Sequence, residues 1–592
     1  MNSNKVKEKS FKILFAFTAA LCIVAVVAIF AFLIIKSVPT FRRIGFFKFI
    51  FGKEWKPNVD DGFTGEIKGK YGVFKMIIGT IVATLGSVLV GGVLGFFTAV
   101  FISKFCPKKL KGAFVTVINL LAGIPSVIFG FFGMVVLLPK LGVFSETGSG
   151  SGLLAVSLVL GLMILPTVVS LSKTSIDAVP DSYYEGARAL GATHEQAVFR
   201  AVVPAAKSGI VASIILGIGR AVGETMAVIM VAGNVVEYPK GLFQSFRVLT
   251  ANIVMEMGYA GDLQLGALIS TGVVLLLFIL IINLLTGLVT SGGKKDKTHK
   301  KRSIEPLAKF FHAIKIEKIG KIVAYVSAVI ASIGLTSIIL FVCVNGIPHL
   351  TTQLLFGKHS VRNISIFPAI VTTLMTVGIS LVIAVPIGVF TAIFLNEYSK
   401  KGSKIVRVIR SAIDILAGVP SIVYALFGMV TFVAWFNGRQ SILAGSLTIA
   451  IMLLPTVVRS TEESLKSVSD TLREGSLALG AGKVRTIFKV VLPSALPGIA
   501  SAIILAMGRV VSESAPFVYT MGNCLTTMPK GVMSDGTTLA VALYTLAGEG
   551  QHLNEAYATA FVLLVIVLAL NLLANLITKK LDKKLKGSKN GK

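Results

Sequence analysis

Apolar residues in this chain follow neither the strict alternation of strands nor the one-sided stripe of soluble helices; they come in about twelve long, nearly unbroken runs. Six lie near residues 11–35, 73–103, 113–138, 152–172, 208–233 and 264–289, and six more near 322–344, 366–396, 407–436, 441–458, 497–519 and 556–577. A helix needs roughly 20 apolar residues to cross about 30 Å of hydrocarbon. Each run therefore predicts a span, and a membrane β-barrel, which needs alternating polarity, is excluded. The expected fold class is an all-α membrane protein with about twelve transmembrane helices. Composition agrees, since 54% hydrophobic residues, 15% charged residues and a mean hydropathy of +0.83 over 592 residues do not describe soluble domains.

A formal charge of +30, from 58 basic and 28 acidic residues, would suggest nucleic acid in a soluble protein. Here the basic residues cluster at the ends of apolar runs, without the interleaved aromatics of a single-strand binding surface, so they read as topology signals and no nucleic-acid partner is expected. Placing both termini in the cytoplasm gathers about 40 of the 58 basic residues on that side. The segment 292–321, with ten Lys or Arg against three acids, becomes a basic cytoplasmic linker. The long outer loop from Lys36 to Lys70 is also basic. Cys22, Cys106, Cys343 and Cys524 are widely separated and imply neither a disulfide framework nor a metal site. The run 11–35 is too long for a signal-peptide core and reads as an uncleaved first span.

The chain repeats itself. Asn119 to Met134 (NLLAGIPSVIFGFFGM) recurs as Asp414 to Met429 (DILAGVPSIVYALFGM), and Pro166 to Glu224 aligns without a gap on Pro455 to Glu513, with about 26 identities in 59 positions. A fixed register that also aligns Glu, Gly, Pro and Arg is not a coincidence of apolar composition. Two parallel six-span halves are expected: 1–291 with a core of about 73–289, and 322–592 with a core of about 366–577, joined by the linker.

Between the fourth and fifth spans the halves read YYEGARALGATHEQAVFRAVVP and LREGSLALGAGKVRTIFKVVLP. Glu185, Gly186 and Gly191, with Glu474, Gly475 and Gly480 as the copy, mark a short amphipathic helix broken at a glycine, able to offer small side chains to a partner's surface. The pattern resembles the EAA signature of ABC-importer permeases, with Ala201 and Val490 where the family has Ile. The resemblance implies two tandem MetI-like (type I) permease repeats whose loops receive a pair of separate ATP-binding subunits. No GxxxxGK[ST] occurs in the chain, so ATP and Mg are expected on those partners, with no cofactor in this chain and no enzymatic activity of its own.

The fifth spans carry charge: Arg220 with Glu224, and Arg509 with Glu513, each pair four residues apart in an apolar stretch. A charge at mid-membrane costs about 3 kcal/mol or more, which marks it as functional by default. A neutralised pair that merely fixes packing stays open. The sharper expectation is one guanidinium per half drawing a tetrahedral oxyanion through a central path, with the carboxylates discriminating or gating; a carboxylate can accept a hydrogen bond from the remaining proton of HPO4(2-) but meets only repulsion from sulfate. GIPSVIFGFFGM with GVPSIVYALFGM, and GRAVGETM with GRVVSESAP, resemble the two membrane subunits of Pst-type phosphate importers, C-type then A-type, fused in one polypeptide. That resemblance implies inorganic phosphate as substrate, an extracytoplasmic phosphate-binding protein and a phosphate-signalling regulator as partners, and a bacterial cytoplasmic membrane location. Importers of sulfate, molybdate or phosphonate, a gradient-driven carrier and a phosphate-sensing scaffold are the alternatives.

Overall fold

A computed structural model describes residues 2–57, 69–145, 148–291, 316–360, 363–399, 403–523, 525 and 528–587. The expected linker lies outside these residues from 292 to 315. The described chain is almost wholly helical; its sheet content is one short antiparallel pair, Trp55–Lys56 with Lys70–Tyr71, closed by the Trp55 and Tyr71 rings at 5.5 Å.

Among the described residues, nine helices are long and apolar enough to cross a membrane, and up to eleven if two bent pairs each count as one span. The shortfall from twelve has local causes, one of them a 69° bend between His194–Ala205 and Lys207–Gly223 at the head of the first half's fifth run. The expected straight spans at 113–138 and 407–436 are each bent at an AG(I/V)PS motif. Val406–Gly418 and Ser421–Val433 meet at 98°, and the first-half counterpart splits into Lys108–Ala122 and Ser126–Phe132. Pro125 and Pro420 sit immediately before the second segment, where a missing N–H costs nothing, while each disfavours helical geometry in the residue before it.

The described chain packs as two units. One comprises residues 1–43, 257–273 and 345–592, the other 44–256 and 274–344. Each sequence half therefore gives its leading helix to the core of the other repeat. In the first unit, Phe15 of the helix Asn2–Ile44 packs on Phe390 at 5.3 Å and Tyr398 at 5.6 Å, and the Cys22 thiol lies 3.5 Å from the Thr391 hydroxyl. In the second, Tyr325 of the helix Ile316–Gly346 stacks edge-on against Phe101 at 4.8 Å, and Phe341 against Phe132 at 5.4 Å.

Within each unit a return loop seals the N-terminal end of the fourth helix, Leu153–Asp177 or Ile442–Lys466. The first amides of a helix have no partner of their own. Here Leu154 N–H donates to the Leu242 carbonyl at 2.8 Å, and Leu443 N–H to that of Val532, also at 2.8 Å. The loops following the fifth helices thus fold back onto the fourth, which fixes the frame in which the fifth-helix charges stand.

Candidate functional site

Arg220 lies in the last turn of the helix Lys207–Gly223, and Arg509 in the last turn of Leu492–Ser512. Each guanidinium reaches to the fourth helix of its own unit: Arg220 Nη1 donates to Thr167 Oγ1 at 3.0 Å, and Arg509 Nη1 to Thr456 Oγ1 at 3.1 Å. The two contacts occupy the same register in the repeat. A cation at a helix C-terminus also faces the negative end of the helix dipole. Both arginines stay partly exposed in their units, Arg509 to 34% of its side chain.

The carboxylates do not continue those helices as expected. The fifth span breaks after Gly223 and Ser512; Glu224 and Glu513 are extended, at ψ 136° and 143°, and new short helices begin at Met226 and Ala515. The expectation of an Arg and a Glu on one face of a continuous helix is corrected accordingly. Pro516 enforces a new helix start in the second half, but the first half breaks at the same place with Ala227, so packing imposes the break as much as the backbone does. Arg509 Nε remains 3.8 Å from Glu513. Glu224 accepts a hydrogen bond from Ala227 N–H at 3.4 Å, and its own carbonyl accepts one from Thr250 Oγ1 at 2.9 Å. Each break therefore sets a carboxylate at a point where the backbone has left helical geometry, and in the second half that carboxylate stands beside the arginine.

The EAA-like loops form helices Asp181–Ala189 and Asp470–Ala478, neither with a buried residue. Gly191 and Gly480 end them at φ +85° and +80°. Ala192 N–H bonds to the Ala187 carbonyl at 3.1 Å and Gly191 N–H to that of Arg188 at 3.0 Å; Ala481 to Ser476 and Gly480 to Leu477 repeat the pattern. This is the Schellman arrangement, which places glycine at the left-handed position. Gly186 and Gly475 differ: both are helical, and a Cβ at either would meet nothing within 4 Å. Glycine inside a helix costs about 0.5–1 kcal/mol relative to alanine, and nothing in the chain's own packing requires it. Beside them Glu185 and Glu474 are exposed, and Leu190 and Leu479 are each 90% exposed. Ala197 and Val198, which follow in the same loop, are buried.

Sequence reasoning missed three features. Thr167 and Thr456 were visible as the matched PTVV segments, but nothing in the sequence singled them out as arginine partners. The third is a buried polar cluster of the first repeat: Arg247 pairs with Glu256 at 2.8 Å and donates to Asn252 Oδ1 at 3.1 Å and, through Nε, to the Asn234 carbonyl at 2.8 Å. Leu249 N–H bonds to Thr80 and Leu539 N–H to Thr373, so the residue corresponding to Arg247 is Thr537. Without a copy, the cluster left no trace in the repeat. Among the described residues no group of His, Cys, Asp and Glu could hold a metal ion.

Duplicated spans, a charged break in each fifth helix and two exposed glycine-ended loop helices fit the class of two-repeat membrane transport components. The chain belongs to the family described as binding-protein-dependent transport system inner membrane component, whose model matches residues 91–292 and 384–587. A phosphate transport system permease protein PstA homolog of Mycoplasma pneumoniae is 28% identical over 581 residues, 85% of this chain and 84% of that one. A probable ABC transporter permease protein, YqgH of Bacillus subtilis, is 38% identical over 276 residues, 45% of this chain and 87% of its own length. The phosphate transport system permease protein PstC of Haemophilus influenzae is 31% identical over 309 residues, 49% of this chain and 95% of its own. The chain is thus a multi-pass membrane permease subunit of ABC type, a transport component and not an enzyme.

Proposed function

We propose that this chain moves inorganic phosphate into the cytoplasm by alternating access, powered by two separate ATP-binding subunits docked on the loops around Glu185 and Glu474 and supplied by an extracytoplasmic phosphate-binding protein. ATP and Mg sit on the docked subunits. The duplicated arginine carries the reading: each repeat commits one guanidinium, held by a threonine, to the end of an otherwise apolar helix, and a guanidinium suits bidentate contact with an oxyanion. Relatives named for phosphate transport support that anion over others. The adjacent Glu224 and Glu513 favour an anion that still carries a proton and disfavour sulfate. Both termini lie in the cytoplasm of a bacterial plasma membrane, and a phosphate-signalling regulator reads the transport state from the same side. The test is ATP-dependent uptake of labelled phosphate in vesicles holding the complete complex, in competition with sulfate, molybdate and phosphonate. Competition by phosphate alone is expected. Equal competition by sulfate would overturn the choice of anion, and ATP-independent uptake would overturn the mechanism.

A further inference from the structure

We propose that the second repeat alone carries the cytoplasmic leg of the anion path, a hydroxyl-lined groove running from Arg509 toward the coupling helix, with Glu463 at its mouth as the group that expels the anion; this rests on the reading of Arg509 as an anion site. The groove has a volume of about 360 Å³ and lies between the helices Ile442–Lys466 and Leu492–Ser512, lined chiefly by Ser460, Glu463, Ser464, Gly498, Ser501 and Leu505.

Its register ties it to the arginine. Leu505 and Ser501 precede Arg509 by one and two steps of four residues, which places all three on one face of their helix, and Ser460 and Ser464 follow Thr456 in the same way on the facing helix. The Arg509–Thr456 hydrogen bond at 3.1 Å lies one helical turn beyond Leu505 and Ser460. Eight residues at about 1.5 Å rise put Ser501 about 12 Å further toward the coupling helix.

The other repeat separates packing from function. Gly498 allows the helices to touch, since a Cβ there would come within 2.2 Å of Ser464 Oγ; Gly209 does the same against Ser175 Oγ, again at 2.2 Å. The close contact is therefore common to both halves, but Leu171, Thr174 and Ala212 stand where the groove has Ser460, Glu463 and Ser501. Two added hydroxyls and a carboxylate are not needed to bring these helices together. Ser464 Oγ is occupied by the Ser460 carbonyl at 2.6 Å, which leaves the hydroxyls of Ser460 and Ser501 to face the groove. Neutral hydroxyl donors hold an oxyanion more weakly than a guanidinium, which suits a conducting site that must also release. The exposed carboxylate of Glu463 then repels an anion arriving there and one attempting to re-enter.

The test uses the complete complex in vesicles, with phosphate added on the ATPase-facing side while uptake is followed. In Glu463→Gln the concentration of that phosphate giving half-inhibition is expected to fall at least about fivefold. The pair Ser460→Ala with Ser501→Ala is expected to lower maximal uptake roughly threefold to tenfold without moving half-saturation by external phosphate, and Ser460→Thr with Ser501→Thr to restore it. Thr174→Val, at the position of the first repeat that corresponds to Glu463, is expected to change neither. Wild-type inhibition in Glu463→Gln together with wild-type uptake in the alanine pair, in complexes that still retain their ATPase subunits, would overturn the inference. Silent groove variants beside an inactive Arg509→Gln would overturn this inference alone; an active Arg509→Gln would overturn the reading beneath it.

Discussion

Thr167 and Thr456 show how little of a site a side chain's chemistry announces by itself. Each is an ordinary residue of an apolar helix until the fold sets its hydroxyl against Arg220 or Arg509. Losing a hydrogen bond to a charged group costs about 1.5–3 kcal/mol, so Thr456→Val is expected to lower uptake at sub-saturating phosphate roughly tenfold or more while the protein folds. Unchanged uptake would show that the threonine does not position the arginine. Gly186 and Gly475 make the converse case: Gly186→Val has open space for its side chain and should leave the permease intact yet weaken retention of the ATPase subunits, measured by co-purification. His359, in a loop outside the spans, supplies a pH prediction. Burial pushes its imidazole below the ordinary value of about 6.5, and the neutral ring accepts the Ser365 N–H at 3.3 Å. The unfolded loop binds the proton more readily, so the stabilisation is complete above the ordinary value and is lost as pH falls through the lowered one. The protection of the Ser365 amide, its exchange relative to the intrinsic base-catalysed rate at each pH, should therefore be greater at pH 7.5 than at pH 5.5, and His359→Gln should remove most of that difference. The arginines and glutamates were legible because a charge inside an apolar run stands out. Arg247 was not, because it lies in a loop and has no copy.

At the scale of elements, apolar runs foretold most of the helices, and their failures share a cause. Hydropathy sums composition along a run and is blind to a bend that keeps the composition apolar. The third runs bend at Pro125 and Pro420, and the fifth runs break after Gly223 and Ser512. Proline was readable at three of these four places; only the first-half fifth run breaks without one. Because that break forms with Ala227 at the position of Pro516, Pro516→Ala is expected to keep the break, with a stability change within about 1 kcal/mol and uptake retained. Thermal unfolding and transport assays of the purified complex check this, and loss of transport through a straightened helix would show that proline alone sets the geometry. The loop glycines were legible as a break in the loop helices for a physical reason: Gly191 and Gly480 occupy left-handed backbone that other residues rarely adopt.

At the scale of the molecule, the repeat was plain in the sequence, but the exchange of leading helices was not, since nothing in a hydropathy pattern says which core an apolar helix will join. The helix Asn2–Ile44 is packed in the unit built largely on residues 345–592, and Ile316–Gly346 in the one built largely on 44–256. Separately produced fragments 1–291 and 322–592 are therefore each expected to be unstable, and to regain a folded, transporting complex when made together without residues 292–321. Stability of either fragment alone would contradict the packing. The central claim, that each repeat lends one guanidinium to the passage of an oxyanion, is tested most directly by ATP-driven phosphate uptake in vesicles carrying Arg220→Gln or Arg509→Gln, with retention of the ATPase subunits verified. Each change is expected to reduce uptake by about tenfold to hundredfold, the loss of one charged hydrogen-bonding group at about 1.36 kcal/mol per decade. Wild-type rates in both assembled variants would contradict it.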